Sequence, residues 1–297
     1  MRITFGSLYR NGLSDLGRTA ADLVLREREV SSGRRIHVAS DDPAAARLAA
    51  AARDDTRALD RYSRAVDSAD ARLRVIDAVL GDVIEGISRA KTLAVAAASA
   101  LDDPARREAY ALEATSIRDS LASAMNTSLR GVYVFSGTRA TEVPFRVTGD
   151  GVAPYAGDSG HQRLDVDGTR SVAVTMDGSA IAQGTDPVSL FTLLDMLSRA
   201  IRAEDRAEIE AVMRGLESAD ARVAAAQSQV GAALAEVEPQ KARLSMLARS
   251  AEARRASLEE VDLAAAIAAM NQAQAAHEAA VAAVGARSRV SLLDYLQ

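Results

Sequence analysis

Apolar residues recur along this chain at alternating steps of four and three, and one stretch breaks the rhythm. Residues 3–30 place Tyr9, Leu13, Leu16, Ala20, Leu23 and Val30 on one side of a helix, with Glu27 as the misfit. Ser31-Ser32-Gly33 should end it, with Gly33 just past the last turn. Asp42-Pro43 should start the next helix: Asp caps free amides, and Pro lacks the N–H that would go unpaired there. A seven-residue repeat then runs from Leu48 through Ala52, Asp55, Leu59, Tyr62 and Val66 to Leu101, with Asp55 its one charged member. At 1.5 Å per residue this seam is roughly 80 Å long, and such a seam requires a partner helix.

Asp102-Asp103-Pro104 predicts another restart, followed by a helix to about Asn126. The rhythm stops beyond it. Residues 131–184 hold nine of the eighteen glycines, and segments such as Val132–Phe135, Phe145–Val147, Arg163–Val166 and Ser171–Met176 alternate like short strands between turns. Asp186-Pro187 predicts a further helix start, and a second seam runs from Ile209 to Leu258. Its length, about 75 Å, nearly matches the first. Pro239 lies within it without disturbing the phase, which predicts a kink rather than an end. Ser257-Leu258-Glu259-Glu260 has the spacing of a capping box for the last helix. That helix carries two apolar stripes: Leu263, Ile267, Met270, Val281 and Val284 on one, Val261, Ala265, Ala268, Ala275, Ala279, Ala282 and Ala286 on the other. A helix apolar on two sides needs cover on two sides, which one partner helix cannot give.

The order is nearly a palindrome. We expect a mainly α fold: an elongated antiparallel helical bundle or coiled coil built from the N- and C-terminal regions, with a small β-rich insert. The expected segments are a terminal helix and loop (1–42), half a shaft (43–130), a β-rich outer domain (131–186), the other half (187–256) and a terminal helix (257–297). The insert's short, Gly-rich strands should add little to the shaft core.

Composition narrows the class. Hydrophobic residues make up 48% but aromatics only 3%, and Ala supplies much of the apolar count, as in helices packed closely side by side. The charge is −5, with acidic and basic residues interspersed, so nucleic acid is not an expected partner. No Cys is present, which excludes disulfides and thiolate metal sites. No signal-peptide core or membrane span is expected. His37, His161 and His277 lack ligand spacing, Asp41-Asp42 reads as a helix cap, and Gly149-Asp150-Gly151 reads as a hairpin turn. The sequence predicts neither catalytic machinery nor a cofactor.

One loop is more specific. Ser32-Gly33-Arg34-Arg35-Ile36, then Asp41-Asp42-Pro43-Ala44, resembles the S-G-x-R-I…D-D-P-A segment that flagellins carry after their first terminal helix. Gly131-Val132-Tyr133-Val134-Phe135-Ser136-Gly137-Thr138 with Pro144-Phe145 is similar to the G-x-Y-x-F-x-G-T…P-F stretch of the hook-associated branch of that family. The opening Met1-Arg2-Ile3-Thr4 and the ending Ser291-Leu292-Leu293-Asp294-Tyr295-Leu296 resemble the same branch.

That resemblance implies a structural, non-enzymatic subunit of the bacterial flagellum, at the junction of hook and filament. It implies export without a cleavable signal peptide, through the flagellar type III apparatus with a cytoplasmic chaperone. The implied partners are the first hook-associated protein, flagellin and copies of itself; no membrane is involved. Assembly would run through Phe5, Tyr9, Leu13, Leu16 and Leu23 at one end. At the other it would use Leu263, Ile267, Met270, Val281, Val284, Leu292, Leu293, Tyr295 and Leu296. A short flagellin that polymerises into the filament itself is the alternative within the class. A helical signalling module is the alternative outside it.

Overall fold

The computed structural model describes residues 5–99, 103–149 and 151–294; the side chains of 5–9 and 287–294 lie outside the description. The helices are α1 (Phe5–Ser32), α2 (Pro43–Ser99), α3 (Pro104–Met125), α4 (Gly178–Ala182), α5 (Leu190–Arg202), α6 (Arg206–Glu259) and α7 (Leu263–Asp294). Three two-stranded antiparallel hairpins lie between α3 and α4: β1 (Ser128–Leu129) with β2 (Val132–Tyr133), β3 (Val147–Thr148) with β4 (Gly151–Val152), and β5 (Arg163–Asp165) with β6 (Ser171–Ala173). The expected class, helical with a small β-rich middle, holds. The chain divides into two compact units, between Ala58 and Leu59 and between Leu247 and Ala248.

The predicted caps form as the residue types require. Asp42 Oδ1 accepts from the Ala45 N–H at 2.9 Å, and Asp103 Oδ1 from Ala105 at 3.0 Å. Each carboxylate satisfies an amide that has no partner in the first turn of its helix.

In the larger unit, 59–247, ion pairs report how the long helices run. Lys91 meets Asp220 at 2.6 Å, Arg74 meets Glu238 at 3.8 Å and Asp67 meets Lys241 at 3.0 Å. Partner numbers rise on α6 as they fall on α2, so the seams are antiparallel. The two exposed pairs, Arg74–Glu238 and Asp67–Lys241, stabilise by at most about 1 kcal/mol each, and Lys91–Asp220 is half-buried. The seam between them carries the energy: Val66, Ala69, Leu73, Ile76, Leu80, Val83 and Ile87 on α2 are buried, as are Ile209, Val212, Leu216, Val223, Val230, Val237 and Leu244 on α6.

Two more helices join this seam. α3 and α5 pack on each other and close a four-helix cluster, to which α5 gives Leu190, Phe191, Leu194, Leu197 and Ile201. The sequence predicts a helix start at Asp186-Pro187, but α5 starts at Leu190, where Ser189 Oγ accepts from the Thr192 N–H at 3.2 Å. It ends at Arg202. Glu204 takes a left-handed φ of 58°, and Asp205 caps α6 through the Glu208 amide at 3.0 Å. α6 then runs to Glu259 with Pro239 inside it. The capping-box reading of Ser257 is corrected: Ser257 lies in the last turns of α6, and Asp262 Oδ1 caps α7 through the Ala264 amide at 2.9 Å.

The insert does not stand apart from the core. Phe135, Phe145, Val166 and Ile181 are buried in the same cluster as the helices. Phe145 stacks at 5.3 Å from Tyr155 and 5.0 Å from Phe191 of α5. Its backbone is held on both sides by the Asn126 amide: the Phe145 N–H donates to Oδ1 at 2.9 Å, and Nδ2 donates to the Phe145 carbonyl at 2.5 Å. On α6 the seam contains one buried polar side chain, Gln240. Its Nε2 donates to Asp167 Oδ2 at 3.2 Å and to the Val166 carbonyl at 3.4 Å, while Arg170 donates to its Oε1 at 2.6 Å. The expected independence of insert and shaft is therefore corrected: short strands bury little by themselves, but their flanking aromatic and branched residues complete the helical core.

Phe145→Ala should lower the unfolding free energy of this unit by about 3–5 kcal/mol, the usual range for a buried aromatic, read by urea denaturation. Replacing Val132–Gln183 by a Gly/Ser linker should broaden and lower the melting transition. A melt as cooperative and as high as that of the intact chain would show the insert to be an appendage after all.

Candidate assembly site: the terminal helices and their joints

The smaller unit, 1–58 and 248–297, brings the two terminal helices together. α1 packs on α7. The Arg34–Glu260 bridge pairs the chain just past α1 with the chain just before α7. Farther along, Thr19 Oγ lies 3.1 Å from His277 Nδ1. The numbers run oppositely, so α1 and α7 are antiparallel.

The strip each helix covers matches the sequence reading in part. On α1 the covered and half-covered positions are Gly12, Leu16, Thr19, Ala20, Leu23, Leu25, Arg26, Glu29 and Val30, a strip that keeps Leu16, Ala20, Leu23 and Val30 of the predicted one. Leu13 and the misfit Glu27 face solvent. On α7 the covered strip is Ala266, Met270, Ala273, His277, Ala280 and Val284. It runs between the two predicted stripes. Met270 and Val284 are half-buried on it, whereas Ile267 is 45% and Val281 49% exposed, and Leu263 is exposed too. The second stripe, Ala265, Ala268, Ala275, Ala279, Ala282 and Ala286, is open along its length. α7 thus carries apolar residues on more sides than α1 can cover. Phe5, Tyr9, Leu292 and Leu293 have side chains outside the described set, and Tyr295 and Leu296 lie outside the described residues altogether.

The first seam also shifts at this end. Leu48 is 60% exposed and Asp55 faces solvent 4.0 Å from Arg254, while Ala45, Ala49 and Ala52 are buried. This explains why a charge seemed to sit in the repeat.

The motif loop forms the joint between α1 and α2. Gly33 takes φ +67°, a conformation that costs a residue with Cβ roughly 1 kcal/mol. Its N–H donates to the Glu29 carbonyl at 2.9 Å, closing α1. Ser32 Oγ lies 2.7 Å from His37 Nε2, and Ile36 is buried beneath the loop. The two acids divide the work: Asp42 caps α2, and Asp41 Oδ2 accepts from the His37 and Val38 amides at 2.9 and 3.0 Å. The Val38 and His37 amides hold Asp41 below the usual carboxylate range, and the Ala45 amide does the same for Asp42. Arg35 pairs with Asp42 at 3.3 Å and donates to the Leu258 carbonyl, also at 3.3 Å. Pro43 opens α2.

The insert motif is likewise structural. Arg130 and Gly131, with φ of 55° and 79°, make the two-residue turn between β1 and β2. The Tyr133 N–H donates to the Ala140 carbonyl at 2.8 Å. Tyr155 donates to the carbonyl of the buried Phe135 at 3.0 Å. Burial pushes that phenol up to about 12, so it remains a neutral donor. Gly137, φ +66°, admits no Cβ, which would lie 2.1 Å from the Asp158 carbonyl oxygen. Pro144 is buried beside Phe145.

This architecture has known relatives. The model of the bacterial flagellin N-terminal helical region matches residues 7–140, and that of the C-terminal helical region matches 213–296. The chain belongs to the flagellin family, whose members are structural subunits and not enzymes. Within it, the chain is 25% identical over 260 residues to flagellar hook-associated protein 3 of Salmonella typhimurium, spanning 80% of this chain and 81% of that one. The Escherichia coli protein of the same name is 24% identical over 261 residues, with the same coverage. Among solved structures, a putative flagellar hook-associated protein from Vibrio parahaemolyticus aligns at a TM-score of 0.67 and 18% identity, covering 74% of this chain and 100% of that one. FlgL of Bacillus cereus aligns at 0.58 and 19%, covering 68% and 96%. At these identities the structures speak for the fold. Among the described residues no helix is long and apolar enough to cross a membrane.

Gly33→Ala and Asp42→Ala should each cost about 1 kcal/mol. The loss should appear as faster amide exchange in the loop 33–42, with the exchange of α5 unchanged. Gly33→Asn, which tolerates the left-handed region, should be milder than Gly33→Ala.

Proposed function

We propose that this protein is the subunit of the junction layer between the flagellar hook and the filament, and that it assembles through its terminal helices. The observation that carries this reading is the open apolar surface of α7: Ile267 and Val281 stay exposed although α7 is already packed on α1. A family of self-assembling helical subunits supplies neighbours for such a surface. On this reading Leu13, Leu263, Ile267 and Val281 meet other subunits directly. Leu16, Leu23, Met270 and Val284 hold α1 and α7 in register beneath them. Phe5, Tyr9, Leu292, Leu293, Tyr295 and Leu296 are assigned to assembly from the sequence alone, since their side chains lie outside the description. The neighbours are the first hook-associated protein on one side, flagellin on the other and further copies of this chain within the layer. Delivery is through the flagellar type III apparatus, with a cytoplasmic chaperone covering the terminal helices beforehand. The loop and insert motifs contribute joints and core, not contacts with partners.

Ile267→Asp and Val281→Asp test this. In the free chain the carboxylates stay in water, so the helical circular-dichroism signal and melting point should change by no more than a few degrees. In the assembly they would be buried without a partner, at a cost on the order of several kcal/mol. Cells carrying either variant should show hooks without filaments and shed flagellin into the medium. Normal filaments would refute the assembly surface. Long filaments grown from the purified protein alone would instead favour a filament subunit.

A further inference from the structure

The two interhelical joints of the smaller unit are bonded to each other, and a buried charge lies between them. The Arg35 N–H donates to the Glu259 carbonyl at 2.8 Å, and the Val261 N–H donates to the Gly33 carbonyl at 3.0 Å. The Glu259 side chain, at the end of α6, is 1% exposed. Arg53 Nε of α2 stands 2.6 Å from its Oε1, and Arg255 Nη1 of α6 stands 3.0 Å from its Oε2. Two helices, α2 and α6, therefore meet on one carboxylate, and its own backbone carbonyl holds a third element, the α1–α2 loop.

A carboxylate removed from water this completely is tolerated only while both cations stay in place. Neutralising it would leave Arg53 and Arg255 facing a group that no longer attracts them. We propose that these paired joints are an acid-opened clasp, which fastens the α1–α2 loop to the α6–α7 joint while Glu259 is ionised and releases it on protonation.

The surrounding charges agree with that direction. Arg53 faces Glu259 from α2 and Arg255 from α6. Glu252 and Glu260 both face Arg255, at 2.6 and 3.9 Å, and compete for it. Arg35, from the loop, is engaged by Asp42 and the Leu258 carbonyl. Burial alone would raise the Glu259 carboxyl, but Arg53 and Arg255 outweigh it and hold it below its ordinary range. A group lowered in the folded state contributes stability above its unfolded value, and that stability is lost as pH falls through the folded value. The clasp is thus closed at neutral pH and opens below the ordinary glutamate value of about 4.3.

Amide exchange of Arg35 and Val261, corrected for the intrinsic rate, reads the clasp directly in the full chain. Protection of both should fall several-fold between roughly pH 6 and pH 3.5, while α5 keeps its own. Glu259→Gln should show low protection of both amides at either pH. Arg53→Met, which removes one cation, should move the opening to higher pH and serves if the Gln variant does not fold. Unchanged protection in the wild type, equal loss in α5, or wild-type pH dependence in Glu259→Gln would overturn the proposal. So would its abolition by Asp41→Asn with Asp42→Asn, since the switch would then lie in the loop acids.

Discussion

A helix with an apolar stripe is unstable alone in water, and a stripe as long as that of α2 can be covered only by another helix of similar length. The rest of this molecule follows from that constraint. In the larger unit α6 supplies the cover, and the antiparallel direction follows because the chain must turn to bring it back. The turn is not an idle loop. α3 and α5 widen a two-helix seam into a four-helix cluster, and the hairpins between them add Phe135, Phe145 and Val166 to it. The buried seam is aliphatic, so the phenylalanines of the insert add buried area of a size that no buried seam residue supplies.

The terminal helices meet the same constraint with an incomplete solution. α1 and α7 cover each other along strips of small and half-polar residues such as Gly12, Thr19, Ala266 and Ala273. Small residues permit close approach but leave the larger apolar side chains, Leu13, Ile267 and Val281, facing outward. A chain selected only to fold would place those leucines, isoleucines and valines on the covered strip. Their outward position fits a surface selected for contacts made after folding.

How far the sequence revealed this depends on local chemistry. Asp42-Pro43 and Asp103-Pro104 were legible because a cap and a proline act within one turn. The long seams were legible from Tyr62 to Ala97 and from Ile209 to Leu244 because apolar residues alternate there with charges, while Leu101 lies outside the described residues. Legibility failed where alanine dominates. Around Ala45, Ala49 and Ala52, and along α7, apolar residues stand on every side, so periodicity cannot tell which side is covered. It failed again at Glu204, where the break between α5 and α6 falls in Arg-Ala-Glu-Asp-Arg without Gly or Pro to mark it. The joints were legible as a motif. Their bonding to each other across more than two hundred residues was not, because nothing local to Gly33 or Arg35 points to Glu259.

Gln240 has one further consequence. A strict seven-residue repeat matches itself again after a slide of seven residues, so a smooth apolar seam under axial load could step from one alignment to the next, about 10 Å at a time. Gln240 opposes any step that moves α6 against the β5–β6 turn. Such a step would carry its amide away from Val166, Asp167 and Arg170 into a stretch of seam that offers no hydrogen bond. One polar side chain among the valines thus fixes the position of α6 against the β5–β6 turn.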